Sequence, residues 1–291
     1  MCPLAQLILA LAITHAAPGR SLYSFEPLPA CGADPKAPKC EMKRVCDEPG
    51  PQCAPPRWSQ PRSAWVQVES RETAILRYSR IAHAAAASAT RLVTCKNAEG
   101  VVDPNCEPEN WPDSERMLAL AGLTVALHES GLREDIMSGH PPLGRGPAGE
   151  VCLVQVAVDQ APLYASWLPL EERKRVSSNR VARERFAKTI LGGEPAALER
   201  CFEIGMRMLV RSRNACASGP ASWEHGMFAM YGTGSRCRLP ALAVRERTFD
   251  RLRSEKPTLA PEISELVGLR QCPAERAVSS NDELSWLLPV Q

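Results

Sequence analysis

Glu129 stands at the end of a strongly apolar helical stretch, directly after Val125, Ala126, Leu127 and His128, with Gly131 two residues beyond. An apolar surround disfavours a carboxylate, and the negative end of a helix dipole disfavours it further. Such a position favours a carboxylic acid that keeps its proton near neutral pH. Cleavage of a glycosidic bond requires that form, because the leaving oxygen must receive a proton. The alternative is that Glu129 is simply the first solvated residue after a core helix. Glu134, Asp135 and Glu150 are the nearby acidic residues that could serve as a second carboxylate, the base with which a hydrolytic mechanism activates water.

Other chemistries lack their residues. His128-Glu129 begins like a helical zinc-protease motif, but that motif needs a histidine three residues after the glutamate, where Leu132 stands. His140 lies too far along a Gly/Pro loop to replace it, and no metal or cofactor is expected. No Gly-x-Ser-x-Gly occurs, so a serine hydrolase would have no nucleophile elbow. His83 and His225 read as solvent-facing or core residues. Trp111, Trp167 and Trp223 are either sugar-stacking platforms or, more commonly at helix ends, core aromatics.

The elements that must position Glu129 are helical. Its own helix is expected to open at Asp113 or Ser114, both suited to the N-cap, and to run through MLALAGLTVALHES to Gly131, which suits the position past a helix end. Apolar residues surround this helix on nearly every side, marking it as the central buried one. Further helices are expected over 71–92, 159–167, 178–191, 195–211, 222–231 and 243–254, with 140–149 a Gly/Pro loop. Strand signals are scarce. The expected class is therefore mostly α: one helical domain over 64–255, an irregular Pro/Cys-rich N-terminal arm over 17–63, and a polar tail over 256–291.

The first 16 residues read as a signal peptide, since the apolar run from Leu4 to Ile13 suits export but is too short to span a bilayer. The run has no Lys or Arg before it, and the alternative is a buried N-terminal helix. No other stretch is long and apolar enough for a membrane span. The 12 cysteines support an oxidising compartment, because Cys-x-x-Cys pairs of the metal-binding kind are missing. Loss of Cys2 with a signal peptide leaves an odd number, so one thiol is free or pairs between chains. Cys31, Cys40, Cys46 and Cys53 can staple the arm in three ways, and Cys95 and Cys106 enclose a short loop suited to a local disulfide. The net charge of +2, from 35 basic and 33 acidic residues, gives no support to nucleic-acid binding. The expected location is secreted or periplasmic.

Three segments occur in a telling order: Glu129-Ser130, the run 149–155 (Gly-Glu-Val-Cys-Leu-Val-Gln), and Met230-Tyr231-Gly232-Thr233-Gly234. Together they resemble the soluble lytic transglycosylase family, whose pattern is a Glu-Ser pair ending a helix, a Gly-Leu-Met-Gln-like turn and a later Tyr-Asn-Ala-Gly-like segment. The resemblance covers about 114–237, under half the chain. It implies a lysozyme-like fold, shared with goose-type lysozymes, and peptidoglycan glycan strands as substrate. It implies Glu129 as catalytic acid/base, Ser130 as a group orienting Glu129 or the sugar's acetamido group, Gln155 in the sugar cleft, and Tyr231 hydrogen-bonded to Glu129. The implied chemistry cleaves between N-acetylmuramic acid and N-acetylglucosamine and closes a 1,6-anhydro ring, with neither water nor a second carboxylate.

Departures from the family pattern accompany it. Cys152 replaces the turn glycine, Gly232 replaces the asparagine after the tyrosine, and the loop between Glu129 and Gln155 is longer than usual. Pairing of Cys152 with Cys201 and of Cys216 with Cys237 would brace the cleft covalently. Hydrolytic muramidase action and a non-catalytic wall-binding role are the competing expectations.

Overall fold

The computed structural model describes residues 3–16, 23–26, 44–45, 65–68, 71–95, 114–139, 146, 149–216, 223–229, 231, 237 and 242–268. These residues are mostly helical, in agreement with the expected class. One helix organises them. α3 (Ser114–Glu129) is buried at every position from 117 to 126, so it has no solvent face along its middle. Leu118, Leu120 and Leu123 on it are each 0% exposed, and each contributes about 1.5–3 kcal/mol of burial.

Four helices enclose α3: α1 (Pro3–His15), α2 (Arg71–Thr94), α7 (Pro195–Cys216) and α9 (Leu242–Ser254). Small side chains let them approach. Ala82, Ala84, Ala85, Ala86 and Ala89 are buried on α2, and a Cβ on Gly122 of α3 would lie 2.7 Å from Met206 Cε of α7. The segment read as a signal peptide forms α1, with Ile8, Leu9 and Leu11 in the core. His15 at its end meets the Glu255 carboxylate at 2.7 Å.

α3 stops as its sequence foretells. Ser130 N–H donates to Ala126 and Gly131 N–H to Leu127, and Gly131 turns the chain at φ 59°, a conformation open to glycine without steric cost. Leu132 also has positive φ (59°), and buried Arg77 of α2 donates from Nε to its carbonyl at 3.1 Å. A short helix that the sequence did not suggest, α4 (Glu134–Ser138), follows directly.

The later elements refine several expected boundaries. β4 (Glu150–Val151) and β5 (Val156–Ala157) pair as a hairpin. The helix expected over 159–167 is reduced to one 3-10 turn, Ala161–Tyr164, where Pro162 lacks a donor. The helix expected over 178–191 is α6 (Arg180–Lys188), and α5 (Leu170–Ser178), which the sequence did not suggest, precedes it. Asn179 separates them: its extended backbone ends α5, and its side chain accepts from Ala182 N–H at 3.0 Å to cap α6. α8 (Trp223–Ala229) and α9 fall where expected, and α10 (Pro261–Leu266) lies against α2.

Two segments of the arm expected to be irregular are strands that pair with a third just beyond it. β1 (Tyr23–Glu26), β2 (Arg44–Val45) and β3 (Trp65–Val68) form a sheet of order β1-β3-β2, with β1 antiparallel and β2 parallel to β3. Alternation in Tyr-Ser-Phe-Glu, and the aromatic and β-branched residues of Trp-Val-Gln-Val, suit such pairing. The expected staples at Cys31, Cys40, Cys46 and Cys53 lie outside the described residues. No described helix is long and apolar enough to cross a membrane.

Candidate active site

The turn between β4 and β5 carries the second motif. Cys152 and Gln155 both adopt left-handed backbone, at φ 60° and 47°, and Gln155 N–H donates to Cys152 O at 3.0 Å. The Cys152 backbone takes the conformation that glycine favours. For a residue with a Cβ this costs about 1–2 kcal/mol. A disulfide to Cys201 of α7 holds it there, with Cα atoms 6.2 Å apart. One turn further along α7, a Cβ on Gly205 would lie 2.8 Å from Val154 Cγ2, so the missing side chain makes room for the turn. The turn is thus seated on α7 covalently at one residue and by close packing at another.

Tyr231, from the third motif, reaches the same turn. Its hydroxyl donates to Val154 O at 2.5 Å, and its ring is 1% exposed. Burial pushes its phenol far above the ordinary tyrosine range, so it acts as a neutral donor. Its backbone carbonyl in turn accepts from Arg245 Nη1 at 3.3 Å, and the guanidinium lies 5.6 Å above its ring. Arg245 then reaches Glu129: its Nη2 donates to Glu129 Oε1 in an ion pair, with side-chain exposures of 8% for the arginine and 23% for the glutamate. Burial lowers the Arg245 pKa from its ordinary value.

Glu129, Arg245, Tyr231 and Val154 therefore form one connected path from the end of α3 to the β4–β5 turn. All three motif segments lie along it.

No family model, curated protein or solved structure matches the chain.

Each expected site residue can be placed on geometry alone. Glu129 is the last residue of α3, as expected, but its surround is not purely apolar, because a cation touches it. A guanidinium in contact favours the carboxylate over the acid, opposing the effect foreseen from the helix. Ser130 is 4% exposed and faces backbone: its hydroxyl donates to Ala126 O at 2.7 Å and accepts from Leu132 N–H at 3.2 Å, so it builds the helix end. Tyr231 gives its proton to Val154 rather than to Glu129; the link between tyrosine and glutamate runs through Arg245. Gln155 is half-buried, and its side-chain amide donates to Cys152 O at 2.9 Å, which closes the turn. Met230 and residues 232–236 lie outside the described residues.

Arg245 is the site residue that sequence reasoning missed. A signal existed. Arg245, Phe249 and Leu252 recur at helical spacing along the buried face of α9, which makes Arg245 a charged residue on an apolar stripe. His128, beside Glu129, bonds the same helix through Nε2 and Thr248 Oγ1 at 2.9 Å. Its pKa is lowered first by burial and then by the charge of Arg245.

The remaining described candidates have partners elsewhere. Glu134 accepts from Ser138 Oγ at 2.5 Å, and Glu150 is half-buried on β4, while the Asp135 side chain lies outside the described residues. Trp167 stacks on Phe186 with centroids 6.0 Å apart and carries Arg200 over its ring, an arrangement of structural packing. His83 is exposed, and its Nδ1 contacts Ser79 O. The Trp223 and His225 side chains and Trp111 lie outside the described residues. A buried carboxylate, Glu203, contacts Arg91, Arg207 and Ser166, tying α7 to α2 and to the segment after the 3-10 turn. Among the described residues no three His, Cys, Asp or Glu side chains gather in a way that could hold a metal ion.

The expected disulfide Cys216–Cys237 is present, with Cα atoms 5.5 Å apart. Cys95 is disulfide-bonded, and its expected partner Cys106 lies outside the described residues. No described cysteine is free.

Proposed function

We propose that this protein is a lytic transglycosylase that cleaves peptidoglycan glycan strands between N-acetylmuramic acid and N-acetylglucosamine, with Glu129 as its acid/base. The observation that carries the reading is the connected path from Glu129 through Arg245 and Tyr231 to Val154. It joins three segments that are far apart in sequence but follow the family's order. In the reaction, the Glu129 carboxyl proton passes to the glycosidic oxygen as the C1–O bond breaks and its electron pair leaves with that oxygen. The sugar's C6 hydroxyl then bonds to C1, and its proton returns to Glu129. One carboxyl serves both transfers, no water enters, and the product carries a 1,6-anhydro ring. Action in a secreted or periplasmic setting belongs to the same proposal, supported by the disulfides Cys152–Cys201 and Cys216–Cys237.

A second reading has its own observation. A glutamate paired with a mostly buried arginine is also a structural tie between α3 and α9, which would suit a wall-binding protein without catalysis. Mass spectrometry of peptidoglycan digested with the purified protein separates the outcomes. Anhydro ends support the proposal, reducing ends replace it with hydrolysis, and no released muropeptides leave the binding role.

A further inference from the structure

Arg245 is the feature of this site that the motifs do not account for. It is 7% exposed, and its guanidinium is incompletely engaged: one nitrogen meets Glu129, another makes a long 3.3 Å bond to Tyr231 O, and buried Nε has no hydrogen-bond partner. A guanidinium normally satisfies its donors in a fixed fork. This one is held beside the carboxylate but not locked.

We propose that Arg245 is a positioning residue for Glu129: it aims the carboxyl from α9, holds it as a carboxylate in the empty site, and is drawn off it when a glycan strand is seated. The inference rests on the lytic transglycosylase reading above and names a residue through which Glu129 is controlled. The physical logic is a trade. A cation beside Glu129 lowers the fraction carrying a proton, so contact throughout the cycle would starve the first step of acid. The same cation stabilises the carboxylate that exists between the two proton transfers. An arginine that withdraws during protonation and returns afterwards serves both steps. The unpartnered Nε and the long bond to Tyr231 leave few hydrogen bonds to break on withdrawal, and the Tyr231 ring, 5.6 Å from the guanidinium, remains beside it.

The other titratable and charged groups around this end of α3 do not take the same role. His128, on α3 itself, bonds Thr248 and resists protonation. Arg77 of α2 is engaged at the Leu132 carbonyl, buried Arg133 in the turn after α3 has interactions of its own, and Tyr231, after α8, is a neutral donor. α7 meets α3 at Gly122, about two turns before Glu129, and its Glu203 is held by Arg91, Arg207 and Ser166. α1 carries one titratable side chain, His15, paired with Glu255. Glu246, next to Arg245 on α9, is half-buried and has interactions of its own.

The test is the pH dependence of muropeptide release by the full chain. The alkaline limb of kcat/KM reports the free enzyme and that of kcat reports the complex. In the wild type the kcat/KM limb should lie lower by about 1 pH unit or more, the size of shift a contacting opposite charge produces. Arg245→Gln should move the kcat/KM limb up toward the kcat limb and lower kcat with little change in KM. Arg245→Lys, which keeps the cation, should preserve the gap. Coincident limbs in the wild type, or a gap unchanged in Arg245→Gln while activity falls only in step with Tm, would overturn the role. Should Arg245→Gln not fold, carbon-13 titration of Glu129 in the wild type decides: a midpoint below about 4.3, the ordinary glutamate value, supports the pairing, and one at or above it refutes it. A wild type without lytic activity removes the proposed function and this role together. An active wild type that fails the pH test removes only this role.

Discussion

The hydroxyl of Tyr231 donates to the backbone carbonyl of Val154 across 77 residues of sequence, fastening the third motif to the second inside the core. Tyr231→Phe removes that donor and leaves a buried carbonyl without it. Stability should fall by about 1 kcal/mol, measured by urea unfolding. Muropeptide release should drop less than with a Glu129 variant, since the contact acts on the turn and not on the acid. A loss as deep as that of Glu129→Gln would place the hydroxyl in the chemistry itself.

Glu129→Gln keeps the side chain's shape and removes the transferable proton. It should lower glycan cleavage by about 100- to 10,000-fold and leave the circular dichroism spectrum unchanged. Glu134→Gln should be mild, because its carboxylate accepts from Ser138 within α4 and the proposed mechanism uses no second carboxylate. Near-normal release by the first variant, or a collapse in the second, moves the chemistry elsewhere.

The Cys152–Cys201 bridge closes a loop of sequence separation 49 and should contribute about 4 kcal/mol by restricting the unfolded chain. Loss of the bridge and strain at Cys152 can be separated. Replacing Cys201 with Ala, we expect Cys152→Gly to be more stable than Cys152→Ala by about 1 kcal/mol, because glycine accepts the left-handed backbone that alanine resists. Equal unfolding midpoints for the two double variants would show that the backbone relaxes once the bridge is gone.

Gly205→Ala should strain the same seat from the other side. The added Cβ meets Val154 Cγ2 at 2.8 Å in a core with little slack, and overpacking of this kind costs about 1–3 kcal/mol. The companion change Val154→Ala in the Gly205→Ala background should recover part of the loss. A thermal midpoint unchanged by Gly205→Ala alone would mean that the turn is not seated on α7 as described.

His128 gives a pH signature of its own. Its folded pKa is lowered, so the unfolded chain takes up a proton at this residue more readily than the native one. Stability should therefore be unaffected by His128 above the ordinary histidine pKa of about 6.5 and should decline as pH falls through and below it. His128→Gln should flatten that slope in a series of thermal melts between neutral and mildly acid pH. A slope identical to the wild type's would assign the decline to other groups.

Much of the site's frame was legible in short stretches of sequence. The all-round apolar character of 117–126 required a buried helix, and Gly131 marked its end, because helix capping and periodicity are decided within a few residues. The left-handed backbone at Cys152 and Gln155 was not legible from residue type, since that conformation belongs to the turn as a whole. Partner choice was not legible. Ser130 and Gln155 turned their polar groups to nearby backbone, and Tyr231 turned to Val154, because a buried donor bonds whatever acceptor packing brings within reach. The strands in the arm likewise depend on pairing partners tens of residues apart. Arg245 shows the limit most clearly. Its place on the apolar face of α9 can be read from its spacing with Phe249 and Leu252, but the carboxylate that compensates it lies 116 residues away on another helix. A one-dimensional pattern can mark a charge that must be buried. Only the packing of α9 against α3 decides which opposite charge meets it.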